Sequence, residues 1–258
     1  MHHLIIKYYL IIKYHVRTFL VRILVFAMLP LTLQAQTRTY YLDSAEDLFR
    51  ANLDITGGEE RWRQVNSIRW EAQISGKIDE TDLEGLRISI SKFPGYRYVE
   101  QQVLNGGIRE TYKLRYTPEK AWIEQDGKKS LVPKDDGLSL LQAKEELALL
   151  EDEDVEIIEF ERTFFNNKRV FKVVYARKNN TFTRYYDRQN LLLMATETPL
   201  NDGSVVTTWF SDYRDVKGLL FPFQISVFTP DVQGRQIYQV ARISLNVEVN
   251  LSQLFLFR

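Results

Sequence analysis

The sequence has no cysteine, and its three histidines, His2, His3 and His15, all lie near the start. Without cysteine there is no disulfide scaffold, no thiol redox chemistry and no lipidated N-terminal Cys. Beyond His15 there is no imidazole to complete a Ser-His-Asp or Cys-His nucleophile, and no His/Cys set for zinc, copper or haem. No resident cofactor is therefore expected. An excess of one charge is also missing, since Lys+Arg 34 balances Asp+Glu 34. With 12 glycines, 7 prolines and 45% hydrophobic residues in 258, the chain is neither collagen-like nor disordered.

Residues 1–35 carry Lys7, Lys13, Arg17 and Arg22 but no acid, and then an apolar run of 11 residues from Ile23 to Leu33. Leu33-Gln34-Ala35 follows as a small-residue cleavage site. The segment is expected to be a secretory signal peptide, cleaved after Ala35. An uncleaved anchor is the rival reading, but the run falls short of the ~20 residues of a membrane helix. The expected mature chain, 36–258, has 30 basic and 34 acidic residues, which argues against a nucleic-acid partner. It should be a single domain, soluble in the periplasm, with no transmembrane segment after cleavage.

The pattern of the mature chain starts helical. Ser44 is placed to cap a helix carrying Leu48, Phe49, Leu53 and Ile55 on one side, and Gly57-Gly58 stops it. From Val65 the period changes to two. Ile68, Trp70, Ala72 and Ile74 alternate with polar residues, and similar runs recur at 86–92, 97–103, 108–116 and 121–125. A second helical stretch, Leu138 to Leu150, interrupts the strands, which resume after Asp154 and run to Val247. The fold class expected is mainly β (α+β): about 11 antiparallel strands in a sheet that must curl, with the N-terminal and mid-chain helices covering its concave face.

Candidate chemistry is sparse. Glu145, Glu146, Glu151, Asp152, Glu153, Asp154 and Glu156 lack the Gly-broken alternation of a calcium loop and read as a solvated helix end. Gly57-Gly58 and Gly106-Gly107 carry no phosphate-loop flanks. What stands out is the number of large aromatics on strands, which fill a core or line a cavity for an apolar ligand. The candidate lining is Trp70, Ile74, Ile90, Tyr98, Tyr112, Trp122, Trp209 and Phe223, with Leu141 and Leu147 on a helical lid. No metal site is expected.

Several stretches resemble one family. Ile55-Thr56-Gly57-Gly58-Glu59-Glu60-Arg61-Trp62 and Val65-Asn66-Ser67-Ile68 are similar to the N-terminus of LolA-like proteins, the outer-membrane lipoprotein-sorting proteins of Bacteroidetes-type bacteria. Ser91-Lys92-Phe93-Pro94-Gly95-Tyr96-Arg97, Ala121-Trp122-Ile123, Asp126-Gly127 and Tyr186-Asp187-Arg188-Gln189-Asn190 agree with it in order. Asp212-Tyr213-Arg214-Asp215-Val216-Lys217-Gly218-Leu219-Leu220-Phe221-Pro222-Phe223 is the most characteristic match. The resemblance implies a half-open β-barrel closed by helices. It also implies carriage of lipoprotein acyl chains, or of another lipid, with an inner- or outer-membrane protein as partner and no catalysis. One departure is Phe93, at a position where the well-studied carriers have a lid-holding arginine. Two other readings of the same fold are an envelope sensor or protein-interaction module, and a hydrolase using paired carboxylates.

Overall fold

A computed structural model of the chain describes residues 40–78, 81–132, 144–177, 180–200, 203–229 and 234–252. All lie in one unit, Thr39–Arg258. The signal-peptide segment and Leu141 fall outside the described residues.

The period-two segments form thirteen strands, β1 Ser67–Ile78, β2 Thr81–Lys92, β3 Tyr96–Asn105, β4 Ile108–Tyr116, β5 Ala121–Gln125 and β6 Lys128–Val132 in the first half. The second half supplies β7 Val155–Phe165, β8 Lys168–Arg177, β9 Asn180–Asp187, β10 Leu193–Pro199, β11 Val205–Val216, β12 Leu219–Thr229 and β13 Gly234–Leu245. They build one antiparallel sheet in the order β6-β5-β4-β3-β2-β1-β13-β12-β11-β10-β9-β8-β7. Every neighbour pair is a sequential hairpin or connection except β1 with β13. The sheet curls without closing into a barrel, leaving β6 and β7 as edges. The count exceeds the expected eleven. β6 gives no alternation signal because Lys128, Lys129 and Ser130 are polar on both faces, and its pairing with β5 is what defines it.

Helices α1 Ala45–Ile55, α2 Glu59–Arg63 and α3 Glu145–Glu151 accompany the sheet. The Asp47 backbone N–H donates to Ser44 Oγ at 3.0 Å, the cap expected from sequence. Leu48, Phe49 and Leu53 are fully buried along one side of α1. α2 seats Trp62, whose indole N–H donates to Thr56 Oγ1 at 3.0 Å. Of the second helix expected from 138 to 150, the described part is α3, and 138–143 lie outside the described residues.

Two of the family-like stretches meet in space. Gly57, at φ +129°, lies so close to the β11–β12 turn that a Cβ there would sit 2.3 Å from the Gly218 carbonyl oxygen. The Leu220 N–H donates to the Thr56 carbonyl at 2.9 Å, and Arg61 donates to the Gly218 carbonyl at 3.3 Å. The helical hairpin is thereby pinned to the sheet through backbone.

Two cores result. Trp62 of α2 packs with Ile68, Trp70 and Ile74 of β1, Phe221 and Ile225 of β12, and Tyr238 and Val240 of β13. α1 covers the other, formed with Phe171, Val173 and Tyr175 of β8 and Tyr186 of β9. Leu147 of α3 enters the first core and Leu149 the second.

Candidate functional site

Cross-strand register assigns the two faces of the sheet. One row runs Val240, Ala72, Arg87, Gln101, Tyr112 and Gln125 across six strands. A second runs Ile74, Tyr238, Ile225 and Phe210. Directly paired residues share a face, so both rows lie on the concave side, where α1 and α3 pack.

That face encloses a cavity of about 780 Å³, in the size range of small-molecule and lipid-tail sites. One wall comes from β1 to β4, with Ile78, Leu83, Val99, Val103 and Leu114. The opposite wall comes from β11 and β12, with Val206, Phe210, Leu220 and Val227. Trp62 and Thr56 reach it from the helical hairpin. Part of the lining is polar: Thr196 and Thr208, paired across β10 and β11, also face the space. Gly76 and Gly85 occupy concave positions on β1 and β2. A Cβ at Gly85 would come 2.3 Å from the Gln102 carbonyl oxygen, and one at Gly76 would come 2.0 Å from that of Arg235. Both glycines mark close backbone approach between neighbouring strands.

Of the ten residues expected from sequence, Tyr112 lines the cavity. Trp70, Ile74 and Phe223 lie on the concave face but are packed into the first core, each under a tenth exposed. Leu147 of α3 is buried in the same core. Ile90, Tyr98, Trp122 and Trp209 lie on the opposite face. Arg69, Ile90, Tyr98, Arg115 and Trp122 form one outward row. Trp209 sits in a stack with Phe165 and Tyr185, ring centroids 4.9 and 3.8 Å from Phe165. Alternation within one strand separates two faces without saying which is inner. These aromatics are shielded outside by cations instead, Arg115 over Tyr98 at 5.5 Å and Lys120 over Trp122 at 5.6 Å.

Charge on the concave face escaped the sequence reading. Glu145 and Glu146 were assigned there to a solvated helix end; at the start of α3 Glu145 is buried and the Glu146 side chain is only 12% exposed. Arg184 of β9 holds Glu146 at 2.8 Å and Glu145 at 3.7 Å. Tyr186 Oη donates to Glu146 Oε1 at 3.1 Å, and Tyr175 Oη to Glu145 at 3.4 Å. Burial pushes the Glu145 carboxyl up to about 7, with Arg184 pulling it back. Burial lowers the Arg184 guanidinium, but Tyr186, Glu146, Tyr175 and Glu145 together hold it above its ordinary value. Further along α3, Arg63 of α2 pairs with Glu151, and Asp152 pairs with Arg177 at 2.6 Å. The Lys144 ammonium stands 5.0 Å from the Phe93 ring. Where the resemblance expects a strand-end arginine, an aromatic stands and the cation comes from the helix side.

Arg87 is different. It borders the cavity between the rings of Trp70 and Tyr238, at 5.4 and 5.3 Å, and donates from Nη1 to Gln101 Oε1 at 3.0 Å. Burial pulls its guanidinium down, opposed by Tyr238. Arg97, on the same face, is pushed down to about 10 by burial and by Arg87. One sequence signal marks Arg184, which occupies the apolar parity of its strand in Phe182-x-Arg184-x-Tyr186; Arg87 alternates with Leu86, Ile88 and Ile90 and reads from sequence as a solvent-facing charge.

Neither a family model nor a curated protein matches the chain. Solved structures do. A DUF1329 family protein from Desulfovibrio piger superposes with TM-score 0.54 at 12% identity, over 83% of this chain and 98% of that one. A putative outer membrane lipoprotein-sorting protein domain from Vibrio parahaemolyticus gives 0.52 at 8%, over 81% and 95%. A LolA superfamily protein from Nitrosomonas europaea gives 0.52 at 9%, over 83% and 98%. The fold is LolA-like.

Proposed function

We infer that the chain is a non-catalytic periplasmic carrier that takes an acyl chain or another lipid into the concave cavity. The observation that carries this reading is the cavity itself, walled on two sides by aliphatic side chains of a curled sheet and roofed by helices. Burying apolar surface gives about 0.8 kcal/mol per CH2, so a tail of roughly ten methylenes supplies ~8 kcal/mol before the costs of association. No covalent chemistry is needed for such binding, and beyond His15 the chain has neither His nor Cys to perform the commonest kinds.

The fold supports the same reading, because one of the superposing structures is described as a lipoprotein-sorting protein domain. The basic and then apolar N-terminal segment is that of an exported protein. Among the described residues, no helix is long and apolar enough to cross a membrane.

The test is to produce the full chain in a bacterial host, locate it by fractionation, and extract the purified protein with organic solvent for mass spectrometry. About one equivalent of lipid per chain is expected. A folded protein that yields an empty extract and takes up no lipid when offered it would overturn the reading.

A further inference from the structure

We propose that Arg87 anchors an acidic headgroup, a single carboxylate or phosphate, at the end of the apolar tail that occupies the cavity. This deepens the carrier reading and rests on it.

The argument starts from a charge without a counter-charge. Arg87 is 8% exposed, and a buried cation is normally paired with an anion. Among the described residues no carboxylate lies within ion-pair distance of it; its hydrogen-bond partners, Gln101 and the Tyr238 phenol, are both neutral. Its Nε is buried with no partner. The contrast with Arg184 is direct, because that guanidinium borders the same cavity but already holds Glu146.

The surroundings of Arg87 fix its position. Trp70 and Tyr238 flank the guanidinium, and Gln101 holds one nitrogen. Cation–π contacts of this kind offset only part of the desolvation. An arginine so held keeps donors for a carboxylate or phosphate oxygen, which its planar fork matches in geometry. Val99 and Val103, diagonal to it across β2 and β3, would receive the first part of the tail, with Leu83 further along the same wall. An amphiphile with one acidic end would thus meet a complementary charge and a complementary apolar surface in one cavity.

The test compares three probes with the same tail, dodecanoate, dodecyl phosphate and methyl dodecanoate, titrated calorimetrically into delipidated full-length protein. At least one acid should bind about tenfold to a hundredfold tighter than the uncharged ester, the range of a charge-assisted hydrogen bond. The preferred acid identifies the source: the carboxylate a free fatty acid, the phosphate a phospholipid-type headgroup. Arg87→Met should abolish the preference, with far-UV circular dichroism and a melting curve reporting that the variant is folded; Arg87→Gln serves if Arg87→Met does not fold. Equal binding of ester and acids by the unaltered protein overturns the anchor while leaving the carrier reading intact. Failure of all three probes to bind overturns both.

Discussion

Arg184 on β9 and Glu146 on α3 meet at 2.8 Å with side chains 4% and 12% exposed, so the short helix is tied to the sheet by a nearly dry ion pair. Tyr186 adds a second hydrogen bond to the same carboxylate oxygen. A seven-residue helix has little stability of its own. Its place over the cavity depends on this pair together with Leu147 and Leu149.

Removing one member of the pair should therefore be costly. Arg184→Met is expected to lower stability by about 3–5 kcal/mol, because it strands a buried carboxylate. Adding Glu146→Gln should restore part of the loss. Urea unfolding of the single and double variants measures both, and an additive result would mean that the two side chains do not act as a unit.

Glu145 gives the protein a pH dependence of definite sign. Its ordinary value is 4.5, and burial raises it to about 7 in the folded chain. Between those values the folded state keeps a proton that the unfolded state has released. The contribution is therefore full below the lower value and is lost as pH rises through the higher one. Glu145→Gln should flatten this decline, so the variant gains on the parent between pH 5 and pH 8. Thermal melts across that range check it; parallel curves would remove Glu145 as the cause.

The two faces should respond differently to substitution. Val103→Glu puts a carboxylate on the cavity wall and is expected to cut co-purified lipid at least tenfold. Trp209→Ala, on the other face, should leave lipid content unchanged while costing about 2–4 kcal/mol from the Phe165 stack. Mass spectrometry of the extracts, beside a denaturation curve for each variant, separates the two effects.

Gly85→Ala forces a methyl group against the Gln102 carbonyl, so the backbones of β2 and β3 must move apart locally. A loss of about 1–3 kcal/mol is expected from the displaced backbone. Gly107→Ala is the control for space, since a Cβ there meets nothing within 4 Å, although its positive φ still carries a strain cost. Melting temperatures should drop further for the first than for the second.

How much of this was legible in the sequence follows from what each signal reports. Ser44, Gly57-Gly58 and the alternation from Ile68 to Ile74 are local, and each appears where local physics puts it. Inner and outer faces are not local. Tyr98 and Trp122 are as aromatic as Tyr112, and only the register of β2 to β5 turns them outward. Burial of Glu145 and Glu146 was hidden because their partner, Arg184, lies 38 residues from Glu146 and carries no sign of pairing beyond its apolar parity. Arg87 was not legible, because Leu86, Ile88 and Ile90 carry the apolar alternation of β2 and only the pairing with Ala72 turns Arg87 inward.

The strand order bears on how the protein folds. Of the twelve pairings in the sheet, eleven join strands adjacent in the sequence, and β1 with β13 alone brings the two ends of the sequence together. Hairpins form with little loop entropy to overcome, whereas closing β1 on β13 spans almost the whole domain. The cavity walls lie on either side of that seam, β1 to β4 on one and β11 to β12 on the other. Each half can acquire its hairpins early, but a space able to hold a tail exists only after the last long-range zipper has shut.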